Sequence, residues 1–305
     1  MTLFSLILVV PIVLAALIIG WAVRFGRRRA RLLRIDESAY PGLVRLRSTT
    51  LVARRLGLAL GVLACLAVVP AGYLGRFALT GPAVASMVTI LALLVGQYSV
   101  QRAATTPGVA GLERRSWTNY PDRRSVSMVV AMVGLVALAA GYTTYAASPD
   151  DLGRTGRALR TVCSTTVWVE GTTTQEFSER SSTPFPGSFY TVPMAFAMAM
   201  LALTVIAALV MVGRRPRDGS DAELVRVDDA LRRITAEGIV ASAGLGVAGS
   251  IVLVAGSAYP QFGNAACTSA NVAASYVLAL IALGGLLFCL RCLVTVIVPG
   301  DGTPL

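Results

Sequence analysis

Lysine and histidine are both missing from this chain of 305 residues, so all 27 basic side chains are arginine. Without lysine there is no Schiff-base nucleophile, no retinal attachment point and no nucleotide-binding P-loop. Without histidine there is no imidazole base, no Ser-His-Asp triad and no histidine ligand for zinc or haem. Acidic residues are scarce too, at 16, and charged residues make up only 14% of the chain, against about 25% in soluble domains. What fills the space is apolar: 55% of residues are hydrophobic, and the mean hydropathy is +0.70. The net charge of +11 suits either nucleic acid or an anionic membrane face. The arginines flank apolar runs, which favours the membrane. No nucleic acid, nucleotide, metal or other cofactor is expected. The expected partner is the lipid bilayer of a bacterial plasma membrane, with another membrane protein as a further candidate.

Seven runs are long and apolar enough to cross a hydrocarbon core of about 30 Å, which takes about 20 helical residues. They lie near 3–23, 56–75, 82–99, 125–147, 190–212, 238–257 and 272–294. The expected fold is therefore all-α, a single membrane domain over 1–305 built as a seven-helix transmembrane bundle. An extracytoplasmic insertion, 148–189, separates the fourth and fifth helices. The first six runs hold no Asp, Glu or Arg in their interiors, and the seventh meets Arg291 only near its end, where the side chain can snorkel. The first run follows an uncharged Met1–Ser5 and precedes a dense arginine cluster, which reads as a retained anchor rather than a cleaved signal.

Orientation follows from arginine placement. Connections 24–55, 97–124 and 213–237 hold ten, five and six arginines, and Arg291 joins them, for 22 on one side against five on the other. The rich side is expected to be cytoplasmic, which places the N-terminus outside and the C-terminus inside. The tightest link is Leu74 to Pro82, where glycine and proline suit a turn. Failure to turn there would leave one helix of over forty residues and invert the charge split downstream.

Within the sixth run, Gly238, Ser242, Gly246 and Ser250 recur every fourth residue. Such a face admits another backbone closely, as a dimer or moving interface or as ordinary packing inside the bundle. Gln97, Thr89, Thr143, Thr144 and Thr204 can bond neighbouring backbone. The lack of intramembrane carboxylates counts against a proton- or sodium-coupled pump.

In the 148–189 segment, Ser148 or Asp150 can cap a short helix running through Arg160. Val162–Val169 reads as a strand, Gly171 as the start of a turn and Thr172–Phe177 as a returning strand. Pro184–Tyr190 leads back to the membrane with its aromatics at interfacial height. Cys163 and Cys267 fall in the two long external connections, where oxidising surroundings favour a disulfide, the alternative being two separate free thiols. Cys65, Cys289 and Cys292 lie in or near helices. Cys289-Leu290-Arg291-Cys292 has redox-motif spacing but no thioredoxin-like context, so packing is the expected role.

On the inner side, Ser220-Asp221-Ala222-Glu223 has capping-box spacing. Leu224, Val225, Ala230, Leu231 and Ile234 follow as a helical apolar stripe, expected to be an amphipathic linker or a surface or partner-binding helix running into the sixth run. Arg24–Arg34 should sense anionic lipid. Ser38-Ala39-Tyr40-Pro41 and Thr118-Asn119-Tyr120-Pro121 look alike but are too short to define a repeat.

The run Asp150-Asp151-Leu152-Gly153-Arg154-Thr155-Gly156-Arg157, followed by Cys163 and by Pro186-Gly187-Ser188-Phe189-Tyr190, resembles a group of uncharacterised multi-pass membrane proteins of actinobacteria. With Asp228-Asp229-Ala230-Leu231-Arg232-Arg233 the resemblance spans the second half of the chain. It implies a shared membrane topology and supplies no activity or site. Three functions stay open: a non-enzymatic accessory or scaffold subunit with an external recognition surface, a permease for an uncharged or hydrophobic solute, and an enzyme using the external carboxylates Asp150, Asp151, Glu170, Glu176 and Glu179. A water-filled cavity near Gln97 and the glycines of the sixth run would favour the second, and acids converging on a pocket the third.

Overall fold

The computed structural model describes residues 41–72, 75–103, 120–169, 172–215, 222–265 and 267–298. Six helices account for most of them: α1 (Pro41–Gly72), α2 (Gly81–Ala103), α3 (Arg123–Ala146), α4 (Ser188–Arg214), α5 (Ala222–Asn264) and α6 (Ser269–Ile297). All six are long and apolar enough to cross a membrane. The 3–23 run, the Arg24–Arg34 cluster, both tyrosine-proline motifs up to Tyr40 and Asn119, and the capping residues Ser220 and Asp221 lie outside the described residues. Exposed Leu63, Leu138, Phe196 and Leu280 sit on helix flanks, an apolar exterior that suits lipid and that a water-soluble bundle would hide.

The short link after α1 does turn the chain. Residues 75–77 and a 3₁₀ turn, Ala78–Thr80, reverse direction, and Thr80 anchors the corner by donating from both its amide and its hydroxyl to the Phe77 carbonyl, at 3.0 and 2.8 Å. Helices α1 and α2 then lie side by side, close enough for the Thr89 hydroxyl to reach the Gly57 carbonyl at 3.1 Å. Helix α3 opens on Asp122, whose carboxylate accepts from the amides of Arg124 and Ser125. That satisfies two of the donors a helix start leaves open. Thr268 does the same for α6 through the Asn271 amide at 3.3 Å.

Helix α5 organises the rest. At 43 residues it is about 65 Å long at 1.5 Å per residue, twice the hydrocarbon thickness. It packs against all five other helices. Its lower third meets α2 and α4 through Ile90, Leu93, Leu209 and Ile239. Its middle meets α3 and α4 through Val136, Met194, Val247 and Ile251. Its upper end meets α6 and the insertion through Leu159, Phe185, Phe262 and Leu278.

Three expectations change, and an alternative is decided. In the 213–237 connection the stripe runs on into the sixth run as one continuous helix, Ala222–Asn264, rather than forming a plain linker, because no glycine or proline interrupts residues 222–237. The outer connection 258–271 shrinks to residues 265–268, since α5 runs on through Pro260 to Asn264. The polar character of those outer turns hid their helicity.

The helix expected from Ser148 through Arg160 does not form. Gly153 and Gly156 take φ of +73° and +70°, which no right-handed helix accommodates, and Leu159 and Arg160 already belong to a strand. The fold is thus not wholly α. Strands β1 (Leu159–Val169) and β2 (Thr172–Ser182) pair antiparallel from Leu159↔Ser182 to Val169↔Thr172. This extends the hairpin read from the sequence by several residues at its base. The turn expected at Gly171 lies outside the described residues.

Candidate functional site

The insertion is the part of the molecule built unlike the bundle, and its geometry starts from Asp150. Its Oδ1 accepts from the amides of Leu152 and Arg154 at 3.1 and 2.9 Å, and its Oδ2 from Arg154 Nε at 2.8 Å. Arg157 Nη1 stands 3.7 Å from the same oxygen. A paired bridge between Ser148 and Ala158 closes the loop, with N–H···O distances of 2.7 and 3.0 Å. Arg157 continues the fastening toward the membrane. Its Nε donates to the Tyr190 hydroxyl at 3.2 Å, its guanidinium lies 5.3 Å from the Phe189 ring centroid, and its carbonyl accepts from the Phe185 amide at 2.8 Å.

Gly156 makes this possible: at φ +70°, a Cβ there would lie 2.7 Å from the Ser188 amide nitrogen, so any side chain would both strain the backbone and push α4 away. The motif Asp150–Arg157 is therefore a clasp that sets the loop onto the first turn of α4.

Burial pushes the Asp150 carboxyl up, but the hydrogen bonds from Arg154 and Leu152 with the Arg154 charge outweigh it and hold the group below the usual carboxylate range. A depressed carboxylate stabilises the fold above its unfolded pKa, about 3.9, and loses that contribution as pH falls through the folded value. Asp150→Asn should therefore melt below wild type at pH 7, with the gap closing as both are taken to about pH 3. An equal gap at both pH values would show that the charge is not what the clasp uses.

The ribbon rises from this clasp. Leu159 and Cys163 face inward and are buried, while Arg160, Val162 and Ser164 point outward, the two-residue alternation of a strand. Its base is fastened three ways to the end of α5. Cys163 and Cys267 form a disulfide across 104 residues with their Cα atoms 5.2 Å apart, Arg180 donates to the Asn264 carbonyl at 3.2 Å, and Ser182 donates to the Gln261 side chain. Val162 and Phe177, level with the disulfide, turn outward at 63% and 69% exposed, and toward the tip the described side chains of Thr166, Thr173, Gln175 and Glu176 are exposed as well.

Among the described residues the acids of the insertion do not meet at a pocket: Asp150 is spent on Arg154 and Arg157, and Asp151 and Glu179 flank Arg160 at 3.3 and 3.7 Å. Glu176 is exposed on β2, and Glu170 lies outside the described residues.

Gly238, Ser242, Gly246 and Ser250 face into the bundle. The two serines are wholly buried and each donates back to the glycine four residues earlier, at 2.8 and 2.9 Å. A Cβ on Gly246 would lie 2.7 Å from the Ser86 hydroxyl of α2 and 2.9 Å from Leu201 of α4, and one on Gly238 would lie 2.5 Å from the Arg54 guanidinium of α1. The row seats three helices rather than an outside partner. Gln97 is likewise buried, donating to the Thr235 hydroxyl. Thr144 and Thr191 share a bond of 2.8 Å, while Thr89, Thr143 and Thr204 each bond a carbonyl of their own helix. Cys292 is buried with its sulfur against Gly244, and Cys65, Cys289 and Cys292 are all free thiols.

At the other end lies a cluster the sequence did not announce. Arg232 is 0% exposed and Arg54 2%, although both fall in stretches that read as solvated connections. Asp228 receives Arg232 Nε and Arg215 Nη2, each at 2.8 Å. Arg232 also donates to the carbonyls of Val212, Gly213 and Arg215 at 3.3, 3.4 and 2.9 Å, closing the C-terminus of α4, where a cation is favoured. Its guanidinium lies 5.9 Å from the Tyr120 ring centroid. Arg54 crosses from α1 to donate to the Ile234 carbonyl. The Asp228/Arg232 spacing of four was the available signal, since it puts both side chains on one helical face.

Fold and site together define a bundle of six helices long and apolar enough to cross a membrane, carrying a disulfide-tied β-ribbon at one end. No protein-family model, curated protein or solved structure matches this chain.

Proposed function

We propose that this protein is a non-enzymatic accessory or scaffold subunit of a membrane complex in the bacterial plasma membrane, and that its ribbon docks a second protein outside the cytoplasm. The observation that carries this reading is the ribbon itself. It is about 35 Å long at some 3.3 Å per residue, its fastenings among the described residues all lie toward its base, and apolar Val162 and Phe177 are turned to solvent. A free two-stranded hairpin is marginal in water by itself, and its open edges and exposed apolar side chains suit strand addition or packing by a partner.

The close filling of the bundle around Gln97 and the α5 glycines supports a scaffold over a permease, and the dispersal of the acids into separate ion pairs supports it over a carboxylate enzyme. The 3–23 run completes a seven-span topology with the N-terminus outside and the C-terminus inside, supported by the 22-to-five arginine split.

One experiment in intact cells tests placement and docking together. A Phe177→Cys variant should react with a membrane-impermeant maleimide before lysis, and a bifunctional version of the reagent should capture a second protein. That protein should also co-purify with wild type from native membranes and be lost with Phe177→Ser. An N-terminal epitope should be accessible on the same cells and a C-terminal one hidden. Labelling only after lysis, or both termini in one compartment, overturns the topology, and labelling without capture overturns docking.

A further inference from the structure

Where the clasp meets the bundle, an open cleft of about 460 Å³ is lined by Arg76, Gly153, Arg154, Thr155, Ser188, Phe189 and Val192. Three chain segments build it: the corner between α1 and α2, the clasp loop, and the first turn of α4.

Its chemistry divides in two. The upper part is cationic and rich in donors. Arg76 is exposed and makes no hydrogen bond or ion pair among the described residues. Arg154 gives its Nε to Asp150, and its side chain remains 41% exposed. Thr155 and Ser188 add hydroxyls. Gly187 caps α4 without a side chain, and the Ser188 and Phe189 amides, at the positive end of a 27-residue helix, bond no acceptor among the described residues.

Charge is not balanced from within. Among the described residues no acid lines the cleft; nearby Asp150 has its oxygens taken by Arg154, Leu152 and Arg157, and Asp151 pairs with Arg160. The lower edge is apolar: Phe189 and Val192 line it, and Val192 and Phe196 continue it down the lipid-facing flank of α4 at 56% and 71% exposed.

We infer that this cleft holds the phosphate of an anionic phospholipid headgroup from the leaflet on the disulfide side of the bundle, with an acyl chain following Val192 and Phe196. Two guanidiniums, two hydroxyls and free helix-terminal amides match a phosphate oxyanion. A soluble phosphate would use the upper half alone, whereas a lipid uses both halves, and the continuous apolar flank below is what selects the lipid. This site is independent of any protein docked on the ribbon.

The test compares melting temperatures of the purified full chain in neutral detergent, titrated with phosphatidylglycerol, phosphatidylcholine or inorganic phosphate. Phosphatidylglycerol should raise the melting temperature saturably, and phosphatidylcholine should do so far less. Arg76→Gln, which removes an exposed and unpaired cation, should leave the starting melting temperature unchanged and weaken the phosphatidylglycerol response about tenfold in midpoint, the loss expected for one charge-assisted bond. Arg291→Gln, at the opposite end, should leave the response intact. Equal responses to the two lipids, or a phosphatidylglycerol response untouched by Arg76→Gln, overturns the site. Inorganic phosphate saturating at the same midpoint with the same Arg76 dependence overturns the lipid assignment and leaves a soluble-anion site.

Discussion

Replacing Asp228 with alanine should destabilise the bundle by about 3–5 kcal/mol, the usual cost of stranding a buried charge. Asp228 is the carboxylate for both Arg215 and Arg232, and Arg232, with no exposed surface, cannot swing to water when its partner is gone. The expected readout is a large drop in melting temperature in detergent, with the weakest point where α4 ends on α5. The double variant Asp228→Leu/Arg232→Met should recover part of that loss, because an apolar pair of similar volume needs no charge compensation, while Arg215 retains a path to solvent. A single-variant loss under about 1 kcal/mol would mean that water reaches the cluster.

The second large effect concerns the outer end. Cys163→Ser should cost about 2–4 kcal/mol, since the disulfide closes a loop of 104 residues and removes much of that loop's freedom from the unfolded chain. Cys267→Ser should cost the same, and the double variant no more than either, because one bond is lost in each case. The remaining fasteners, Arg180 on Asn264 and Ser182 on Gln261, are too few to hold the ribbon base against its own entropy. Proteolysis between 159 and 182 should therefore accelerate in the single variants while the membrane helices stay protected. Undiminished stability in Cys163→Ser would show that the clasp at Asp150 carries the load instead.

Asp228 and Cys163 differ in how readily the sequence announces them. The cysteines can be paired from their positions along the chain, because the arginine pattern puts just two of the five in connections read as external, where oxidation favours a disulfide. Asp228 reads as one more acid on the polar face of an amphipathic stripe. What the stripe conceals is that its helix does not lie on a surface: it runs unbroken into the central span, so its nominally polar face is covered by the end of α4 and by Tyr120. Arg54 misleads in the same way. An arginine just ahead of an apolar run counts toward the cytoplasmic side in any charge tally, yet here α1 begins well before the run and carries Arg54 against α5. The Asp150–Arg157 motif suggested a helix because Ser and Asp are good caps, but two glycines at positive φ decide otherwise, and only the closeness of α4 explains why Gly156 tolerates no side chain.

Hydropathy alone determined that the chain forms helices long and apolar enough to cross a bilayer, because each such helix satisfies its own backbone bonds and needs only a length of apolar residues. Local alternation and turn residues determined the hairpin, and redox context the disulfide. Only the tertiary structure decided that α5 is the axis, that its row of small residues faces inward and that Arg232, with Arg54 of α1, is buried at its lower end. Those properties depend on which neighbours cover each face, and a neighbour distant in sequence leaves no mark on the pattern of the helix it covers.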